Sequence, residues 1–247
     1  MTYPGGKNGS GVYQKIINQI PPHRVYIEAF LGHGAIMLNK KPAACTIGID
    51  GDGEVVDHWR DPTAENSDVR SNRSLTIILG DAISFLNSYD FQGDEFVYCD
   101  PPYLFETRKS KRKLYNVEFG SKAQHKKLLT VLKSLPCRVA ISGYPSSLYD
   151  AMLQGWRAIS YNTVTRGGGM VEEWLWMNYP EPTELHDYRY LGDDYREREK
   201  ITRQKKRWIA RLKRMSPLQR YALLSSIDEY RDAAAPSKTA SIEDRHK

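Results

Sequence analysis

Short apolar runs rich in Val, Ile and Leu alternate with helical patterns along most of the chain. These runs are continuous rather than alternating in polarity, which is typical of parallel strands covered by helices on both faces. Two later runs flank a Gly-rich stretch and predict a closing hairpin with an antiparallel strand. The seven predicted strands are Val25–Phe30, Thr46–Asp50, Leu75–Leu79, Glu95–Cys99, Arg138–Ser142, Ala158–Thr165 and Glu173–Asn178.

Helices are predicted between these strands. Ala35–Lys40 and Gly53–Trp59 follow the first two strands. A longer helix begins after Ser121, because Ser121 and Gln124 have the spacing of a capping box, and it ends before Pro136. This alternation predicts an α/β fold with a seven-stranded, doubly wound and mostly parallel sheet.

The pattern changes after Pro180, where two prolines within three residues predict a linker. A helix pair is predicted over roughly residues 195–233, and Ser216-Pro217-x-Gln219 has the form of a helix start for its second member. We therefore expect an α/β domain at residues 1–180, a basic helical extension at 181–233 and a flexible tail at 234–247.

Composition excludes several classes of protein. The 247 residues are 40% hydrophobic and 27% charged, which is enough apolar material for a sizeable core. No apolar run is long enough for a membrane span, and the first residues lack the apolar segment of a signal peptide. The three cysteines are isolated and form no Cys-x-x-Cys pair, which favours a reducing compartment and disfavours zinc. We expect a cytoplasmic protein without a metal.

The net charge of +6 is unevenly distributed. Residues 186–214 contain eleven Lys or Arg against five Asp or Glu, so this segment holds the whole excess. A second basic run at residues 108–113 has five cations in six positions. Two such clusters favour a polyanion such as nucleic acid as partner, although a solvated surface is the simpler reading of each one. The candidate DNA-binding residues are Arg108, Lys109, Lys111, Arg112, Lys113, Arg203, Lys205, Lys206 and Arg207.

The strongest chemical motif is Asp100-Pro101-Pro102-Tyr103, which directly follows a predicted buried strand. Open α/β sheets bind ligands at this end of their strands. The prolines remove amide donors and leave carbonyls as acceptors, so a carboxylate beside them can accept both hydrogens of an aromatic amino group. Tyr103 offers a flat face on which a base can stack. The motif predicts a site that aims the lone pair of a base amine at an electrophile.

A glycine loop, Phe30-Leu31-Gly32-His33-Gly34, follows the first strand and opens a helix. Glycines there allow close approach of the backbone to a ligand. Asp50 ends the next strand about twenty positions later, which is the usual place of a ribose hydroxyl acceptor. Asp81, after the third strand, is a candidate for the adenine amine of the same ligand, with a helix cap as the alternative. Without a Walker lysine or a full G-x-G-x-x-G, a nucleoside lacking a pyrophosphate fits best.

In order along the chain, Tyr3-Pro4-Gly5-Gly6-Lys7, the glycine loop and Asp100-Pro101-Pro102-Tyr103 resemble the motifs of the Dam-like DNA adenine N6-methyltransferases. The resemblance covers about residues 2–179. It implies a Rossmann-like class I methyltransferase fold, S-adenosylmethionine as cofactor and adenine N6 of a flipped-out base in double-stranded DNA as target. It further implies a bacterial or phage protein of the restriction–modification type, acting near the nucleoid.

The resemblance also implies residue roles. Tyr3, Gly6, Lys7, Phe30, Gly32, Gly34, Asp50, Asp81 and Asp100 would bind the cofactor, with Lys7 at its methionine carboxylate. Asp100, Pro101, Pro102 and Tyr103 would be catalytic, with Asp100 on the target amine and Tyr103 stacked on the target base.

The chain departs from larger family members, which insert a target-recognition domain before the catalytic motif. Asp81 and Asp100 are only 19 positions apart, so recognition is expected from the basic run and the helix pair. The alternatives are an N4-cytosine or RNA adenine methyltransferase, or a non-catalytic basic DNA-binding protein. The apolar stripe of the helix pair predicts either docking on the same chain or a homodimer on a palindromic site.

Overall fold

A computed structural model describes residues 7–9, 11–61, 74–108, 116–164 and 169–234. The described chain contains one seven-stranded sheet with the strand order β3-β2-β1-β4-β5-β7-β6. The strands are β1 (Val25–Ala29), β2 (Cys45–Asp50), β3 (Leu75–Leu79), β4 (Glu95–Cys99), β5 (Arg138–Gly143), β6 (Arg157–Val164) and β7 (Met170–Met177).

The pairing confirms the predicted doubly wound, mostly parallel sheet. β1 to β5 pair in parallel, and β7 runs antiparallel to both β5 and β6. The predicted hairpin is therefore present. β7 begins at Met170 rather than at Glu173, because its pairing with β6 continues to the Val164–Met170 pair at the tip. The strand order and the single antiparallel strand, β7, are those of a Rossmann-like methyltransferase sheet.

Helices cover both faces of the sheet. They are α1 (Val12–Ile17), α2 (Ala35–Asn39), α3 (Gly53–Arg60), α4 (Ala82–Ser88), α5 (Lys122–Ser134), α6 (Ser147–Met152), α7 (Tyr195–Arg214) and α8 (Pro217–Ala234). The capping box of α5 is confirmed, because Ser121 and Gln124 exchange the two expected hydrogen bonds. The short helices α1, α4 and α6 were not predicted. None of the described helices has both the length and the hydrophobicity needed to cross a membrane.

The core consists of two layers, one on each face of the sheet. Alternate residues of each strand point to opposite faces, so Tyr26 and Phe96 contribute to one layer and Ile27 and Val97 to the other. Helices α1 to α3 bury their apolar sides in the first layer, and α4 to α6 in the second. Both faces of the central strands are thus buried, which explains their continuous apolar runs.

The chain divides into two compact units after Tyr195. Residues that follow the predicted linker still pack on the first unit, since His186 N donates to Ile20 O and the Asn18 side chain donates to Tyr190 O. The sequence predicted a boundary after Pro180, whereas the compact units divide after Tyr195. The second unit contains α8 and nearly all of α7, and α7 has no fully buried side chain. Residues 235–247, most of the predicted tail, lie outside the described residues.

The glycine loop after β1 rests on α3. Gly34 has φ +58°, and a Cβ at this position would lie 2.3 Å from Cζ2 of Trp59. Trp59 also donates from Nε1 to the carbonyl of Gly32 at 2.8 Å. The loop can therefore approach α3 this closely only because residue 34 has no side chain.

Replacing Gly34 by Ala is expected to lower the free energy of unfolding by about 2–4 kcal/mol, because it adds both a left-handed alanine and a clash with Trp59. Urea denaturation measures this change. The matched control is Gly53→Ala at the first residue of α3, where an added Cβ would meet nothing within 4 Å. That variant should be as stable as the wild type or slightly more stable. Equal stability of the two variants would contradict the tight loop packing.

Candidate active site

The candidate active site lies where the order of the strands reverses. From β1 the sheet continues to β2 and β3 on one side and to β4 and β5 on the other, and ligands of open α/β sheets bind at such a point. A cleft of about 890 Å³, including its open mouth, occurs there. It brings together all the described candidate residues for catalysis and cofactor binding. These are Lys7, Phe30, Gly32, Gly34, Asp50, Asp81, Asp100, Pro101, Pro102 and Tyr103. Tyr3 and Gly6 lie outside the described residues.

Asp50 connects the end of β2 to the glycine loop. Its Oδ2 accepts from Gly32 N at 2.8 Å, and its Oδ1 accepts from Asp52 N at 2.9 Å. Burial raises the pKa of this carboxyl group, while the amide donors oppose the rise. A carboxylate has about four acceptor positions, so Asp50, which lines the cleft, keeps capacity to accept from a hydroxyl of a ligand.

The wall beyond Asp50 is flat and apolar. Phe30 and Phe119 meet edge to face with their centroids 4.8 Å apart, and both line the cleft. Asp81, also in the lining, caps α4 by accepting from the Ser84 amide at 2.8 Å and from the Ser84 hydroxyl at 2.7 Å. Both of these bonds use Oδ1. The cap and a ligand contact through Oδ2 are therefore compatible readings of Asp81.

Lys7 lies against the catalytic motif. Its Nζ donates to Asp100 Oδ1 at 2.8 Å and to the Tyr103 hydroxyl at 2.6 Å. The Lys7 side chain is only 4% exposed. Burial by itself lowers the pKa of this ammonium, but the charges of Asp100 and Glu173 raise it above the usual value. Lys7 is thus a protonated group that fixes Asp100 and Tyr103 relative to each other. This contact differs from the methionine carboxylate that the resemblance implied for Lys7.

Glu173 of β7 adds a second carboxylate beside Lys7. Its Oε2 lies 3.3 Å from Lys7 Nζ, yet this buried oxygen has no hydrogen-bond partner among the described residues. When all three groups are ionised, the cluster of Lys7, Asp100 and Glu173 carries one net negative charge. Burial raises the pKa of Asp100, Lys7 lowers it and Glu173 raises it again.

Glu28 is a further buried carboxylate at the floor of the cleft. Its Oε2 accepts from the Tyr26 hydroxyl at 2.8 Å and from Met37 N at 2.9 Å, which ties β1 to α2 beneath the glycine loop. Burial raises the pKa of Glu28 to about 8 against these two hydrogen bonds. Glu28 therefore gains a proton far more readily than an exposed glutamate, and this adjusts the charge around the cleft.

Sequence reasoning did not single out Glu28, Glu173 or His125, which contacts the catalytic motif from α5. Glu28 comes shortly before the glycine loop, and its place near the end of β1 is the one signal for it. His125 stands in the apolar stripe that contains Leu128, and Glu173 is in a strand. Both residues stand at positions where the hydrophobic pattern predicts a core residue, so nothing in the sequence indicates a role in the site for His125 or Glu173.

The candidate DNA-binding residues differ in their exposure to solvent. Arg108 is turned inward, since it donates to Tyr103 O at 2.6 Å and pairs with Glu118 at 2.9 Å with only 5% of its side chain exposed. This buried ion pair is structural and leaves little of Arg108 for a phosphate. Arg203 is exposed on α7 and pairs with Glu199. Lys109, Lys111, Arg112 and Lys113 lie outside the described residues, whereas Lys205, Lys206 and Arg207 are exposed on α7.

The cleft fits S-adenosylmethionine in the chemistry of its donor and acceptor groups. Carboxylate oxygens of Asp50 suit ribose hydroxyls, and the wall of Phe30 and Phe119 suits a flat base. Gly32 and Gly34 line the cleft and have no side chains, so the backbone there is open to close approach by a ligand. The net negative cluster around Asp100 suits a cationic sulfonium. No group of three or more His, Cys, Asp or Glu suited to a metal ion occurs in the described part of the chain.

Part of the chain matches a known protein family. Residues 57–162 match the D12 class N6 adenine-specific DNA methyltransferase family. A comparison with curated protein sequences gives no match. Among solved structures, the chain is similar to a dimethyladenosine transferase from Plasmodium falciparum, with 15% identity over 71% of this chain and 63% of that one and a TM-score of 0.45.

Two further structures with bound cofactor or product are similar. Magnesium protoporphyrin IX methyltransferase from Synechocystis PCC 6803, with bound S-adenosylmethionine, has 15% identity over 68% of this chain and 75% of that one, with a TM-score of 0.44. TrmK from M. capricolum, with bound S-adenosylhomocysteine, has 10% identity over 90% of this chain and 97% of that one, with a TM-score of 0.43.

The family match includes β3, β4 and the whole Asp100–Tyr103 motif, while the glycine loop precedes it. Methyltransferases of this kind take their methyl group from S-adenosylmethionine, so the family supports the predicted cofactor. The match of residues 57–162 to a D12 class N6 adenine-specific DNA methyltransferase domain is consistent with the Dam-like adenine methyltransferase family predicted from the motifs.

Proposed function

We propose that the protein methylates N6 of adenine at a specific sequence in double-stranded DNA, with S-adenosylmethionine as methyl donor. The observation that carries this proposal is the placement of Asp100, whose Oδ1 is held by Lys7 at the end of β4, beside the glycine loop. One cleft thereby combines groups suited to a nucleoside cofactor with groups suited to a base amine.

The cofactor would be held by groups from the ends of three strands. Asp50 would accept from the ribose hydroxyls, Phe30 would pack on the adenine, and Asp81 would accept from the adenine amine through its second oxygen. Gly32 and Gly34 would allow the close approach. When bound, S-adenosylmethionine supplies a methyl group on a positively charged sulfur.

The target amine would be held by two acceptors of the catalytic motif. Lys7 uses Oδ1 of Asp100, so Oδ2 is left to accept one amine hydrogen. The Pro101 carbonyl, next along the motif, can accept the other. Fixing both hydrogens favours a pyramidal nitrogen whose lone pair points at the methyl group. As the new N–C bond formed and the sulfur–methyl bond broke, a neutral thioether would leave and the nitrogen would become positive. The Asp100 carboxylate would stabilise that charge and take the released proton.

Asp100→Asn is expected to abolish methylation while preserving the fold, because the amide keeps the shape but loses the charge that stabilises the developing cation. We expect methyl transfer to fall by about 10²–10³-fold at least. The measurement is base-resolution modification mapping of DNA from cells expressing each variant, together with initial rates on purified protein.

The matched control is Asp90→Asn, an exposed aspartate in the turn before β4 at the opposite end of the strands. This variant should methylate like the wild type. The wild-type map also reports the base and its sequence context. Methylation at cytosine N4, or on RNA alone, would replace adenine in DNA as the target, and no modification at all would overturn the proposed function.

The target base must leave the duplex to reach this cleft. Asp100 and Tyr103 lie at the end of a buried strand, out of reach of an amine within the base stack. Tyr103 is mostly buried, with its hydroxyl on Lys7 and its ring edge to face with Tyr144 at 4.4 Å. A ring fixed in this way offers the base a rigid surface, which offsets part of the few kcal/mol that extrusion costs.

DNA with 2-aminopurine at the target position should therefore become more fluorescent when the protein binds. Tyr103→Ala should reduce this increase, because the extruded base loses its stacking surface. The hydroxyl is tested separately with Tyr103→Phe, which should keep most of the fluorescence change. If confirmed binding of the wild type left 2-aminopurine fluorescence unchanged, flipping would be excluded.

Helix α7 is proposed to supply most of the DNA affinity. Lys205, Lys206 and Arg207 are consecutive exposed cations on it. Binding of such residues to phosphates releases counterions, so affinity should depend strongly on salt. Whether the second unit also pairs two copies on a palindromic site stays a prediction, which a non-palindromic map of modified sites would contradict.

Changing Lys205, Lys206 and Arg207 together to Gln should weaken DNA binding. It should also reduce the slope of log K against log salt by about 0.9 for each phosphate that the variant no longer neutralises. Fluorescence anisotropy at several salt concentrations measures both quantities. The charge-matched control changes Lys126, Lys127 and Lys133, exposed on α5, to Gln. An equal weakening in both triple variants would mean that only net charge matters and not the position of α7.

A further inference from the structure

His125 of α5 is buried, with 1% of its surface exposed, and forms hydrogen bonds through both ring nitrogens. Nε2 lies 2.8 Å from the carbonyl oxygen of Phe119 and 3.1 Å from that of Pro102. Nδ1 lies 2.9 Å from the hydroxyl of Tyr149 on α6. One side chain thus joins α6, the segment before α5 and the catalytic motif.

The partners determine the tautomer. Both neighbours of Nε2 are carbonyls, which can only accept, so Nε2 bears the proton and donates to them. Nδ1 is then unprotonated and accepts from the Tyr149 hydroxyl. Burial lowers the pKa of His125 to about 4, with Arg108 contributing to the same effect. The ring is therefore neutral across the pH range in which enzymes of this kind are assayed, and its single N–H is always available.

The catalytic motif depends on such an outside donor. Pro101 and Pro102 have no N–H, so these residues cannot anchor the motif through their own amides. The described hydrogen bonds give the Pro102 carbonyl a donor from His125 and give the Pro101 carbonyl none. Phe119 lines the cofactor part of the cleft. The same N–H therefore fixes a wall of the cofactor pocket and the second proline of the motif.

We propose that His125 is a positioning residue for methyl transfer, which through its shared Nε2–H holds the catalytic motif in register with the cofactor wall. This proposal rests on the proposed function. His125 occupies the Pro102 carbonyl and thereby leaves the Pro101 carbonyl as the acceptor for the target amine. A leucine in this apolar stripe would bury no polar atom of its own, but it would take a hydrogen-bond partner from the carbonyls of Pro102 and Phe119 and from the Tyr149 hydroxyl.

The test compares His125→Leu with His125→Gln, whose amide places an N–H near the position of Nε2. Purified variants are assayed for kcat and KM on DNA containing the mapped site, for S-adenosylhomocysteine affinity by calorimetry, and for Tm. We expect His125→Leu to lower kcat by about 10–100-fold, because sub-ångström misplacement of reacting groups is costly. KM for DNA and the affinity for S-adenosylhomocysteine should change much less, and His125→Gln should restore most of kcat.

Tyr149→Phe provides a second variant in case His125→Leu does not fold. It leaves His125 in place, with the proton still fixed on Nε2 by the two carbonyls, but removes the hydroxyl that holds Nδ1. The ring is then oriented from one side only, so kcat should fall by a smaller factor than in His125→Leu. His58→Gln, on α3 and outside the cleft lining, is the control for loss of a helical histidine and should be neutral.

The outcomes separate the two proposals. An inactive wild type would refute the proposed function. An active wild type with unchanged kcat in His125→Leu would refute the role of His125 alone. A lowered Tm with unchanged kcat would show that His125 only stabilises the fold, and a decrease in kcat that His125→Gln fails to restore would show that packing volume rather than the N–H matters.

Discussion

The site depends above all on the parallel pairing of β1 with β4. Their register places Ala29 opposite Cys99, so the next residue of each strand, Phe30 and Asp100, leaves the sheet at the same level. The glycine loop and the catalytic motif are far apart in sequence, and this pairing alone brings them to one cleft. Any slip in the register would separate the cofactor side from the target side. The buried apolar faces of both strands fix the register, because a one-residue slip would expose them.

Sequence reasoning was most successful where a pattern is local. Strands β3 and β4 were predicted to the residue because their apolar runs are short and bounded by polar positions, and the capping box of α5 has a fixed spacing. The helices α1, α4 and α6 were missed because each has fewer than two turns, which is too short for a clear helical periodicity. Glu173 and His125 were missed for another reason. Each acts through a contact with a residue distant in sequence, and nothing near them in the chain indicates it.

Glu173, which the sequence did not reveal, bears on the chemistry through the charge that it adds beside Lys7 and Asp100. Burying a carboxylate is unfavourable unless it is paired, and Lys7 is one ammonium facing both Asp100 and Glu173. Burial raises the pKa of Glu28, nearby, to about 8, so this carboxyl group adds little further negative charge near neutrality. A cationic cofactor completes the neutralisation. The affinity of such a site for a positively charged ligand thus arises from incomplete pairing within the protein itself.

Under the proposed function, the two compact units would divide DNA affinity from methyl-transfer chemistry. The groups proposed to act on the cofactor and the base all lie before Tyr195, where the charges nearly balance, whereas the cationic surface lies on α7. A catalytic cleft that is already anionic repels phosphate, so a basic surface within it would be partly neutralised by Asp100 and Glu173. Placing the cations on a separate helix avoids that conflict. If the proposed function holds, the cations of α7 would attract DNA without altering the charge around Asp100 that would orient the amine, and each property could vary independently of the other.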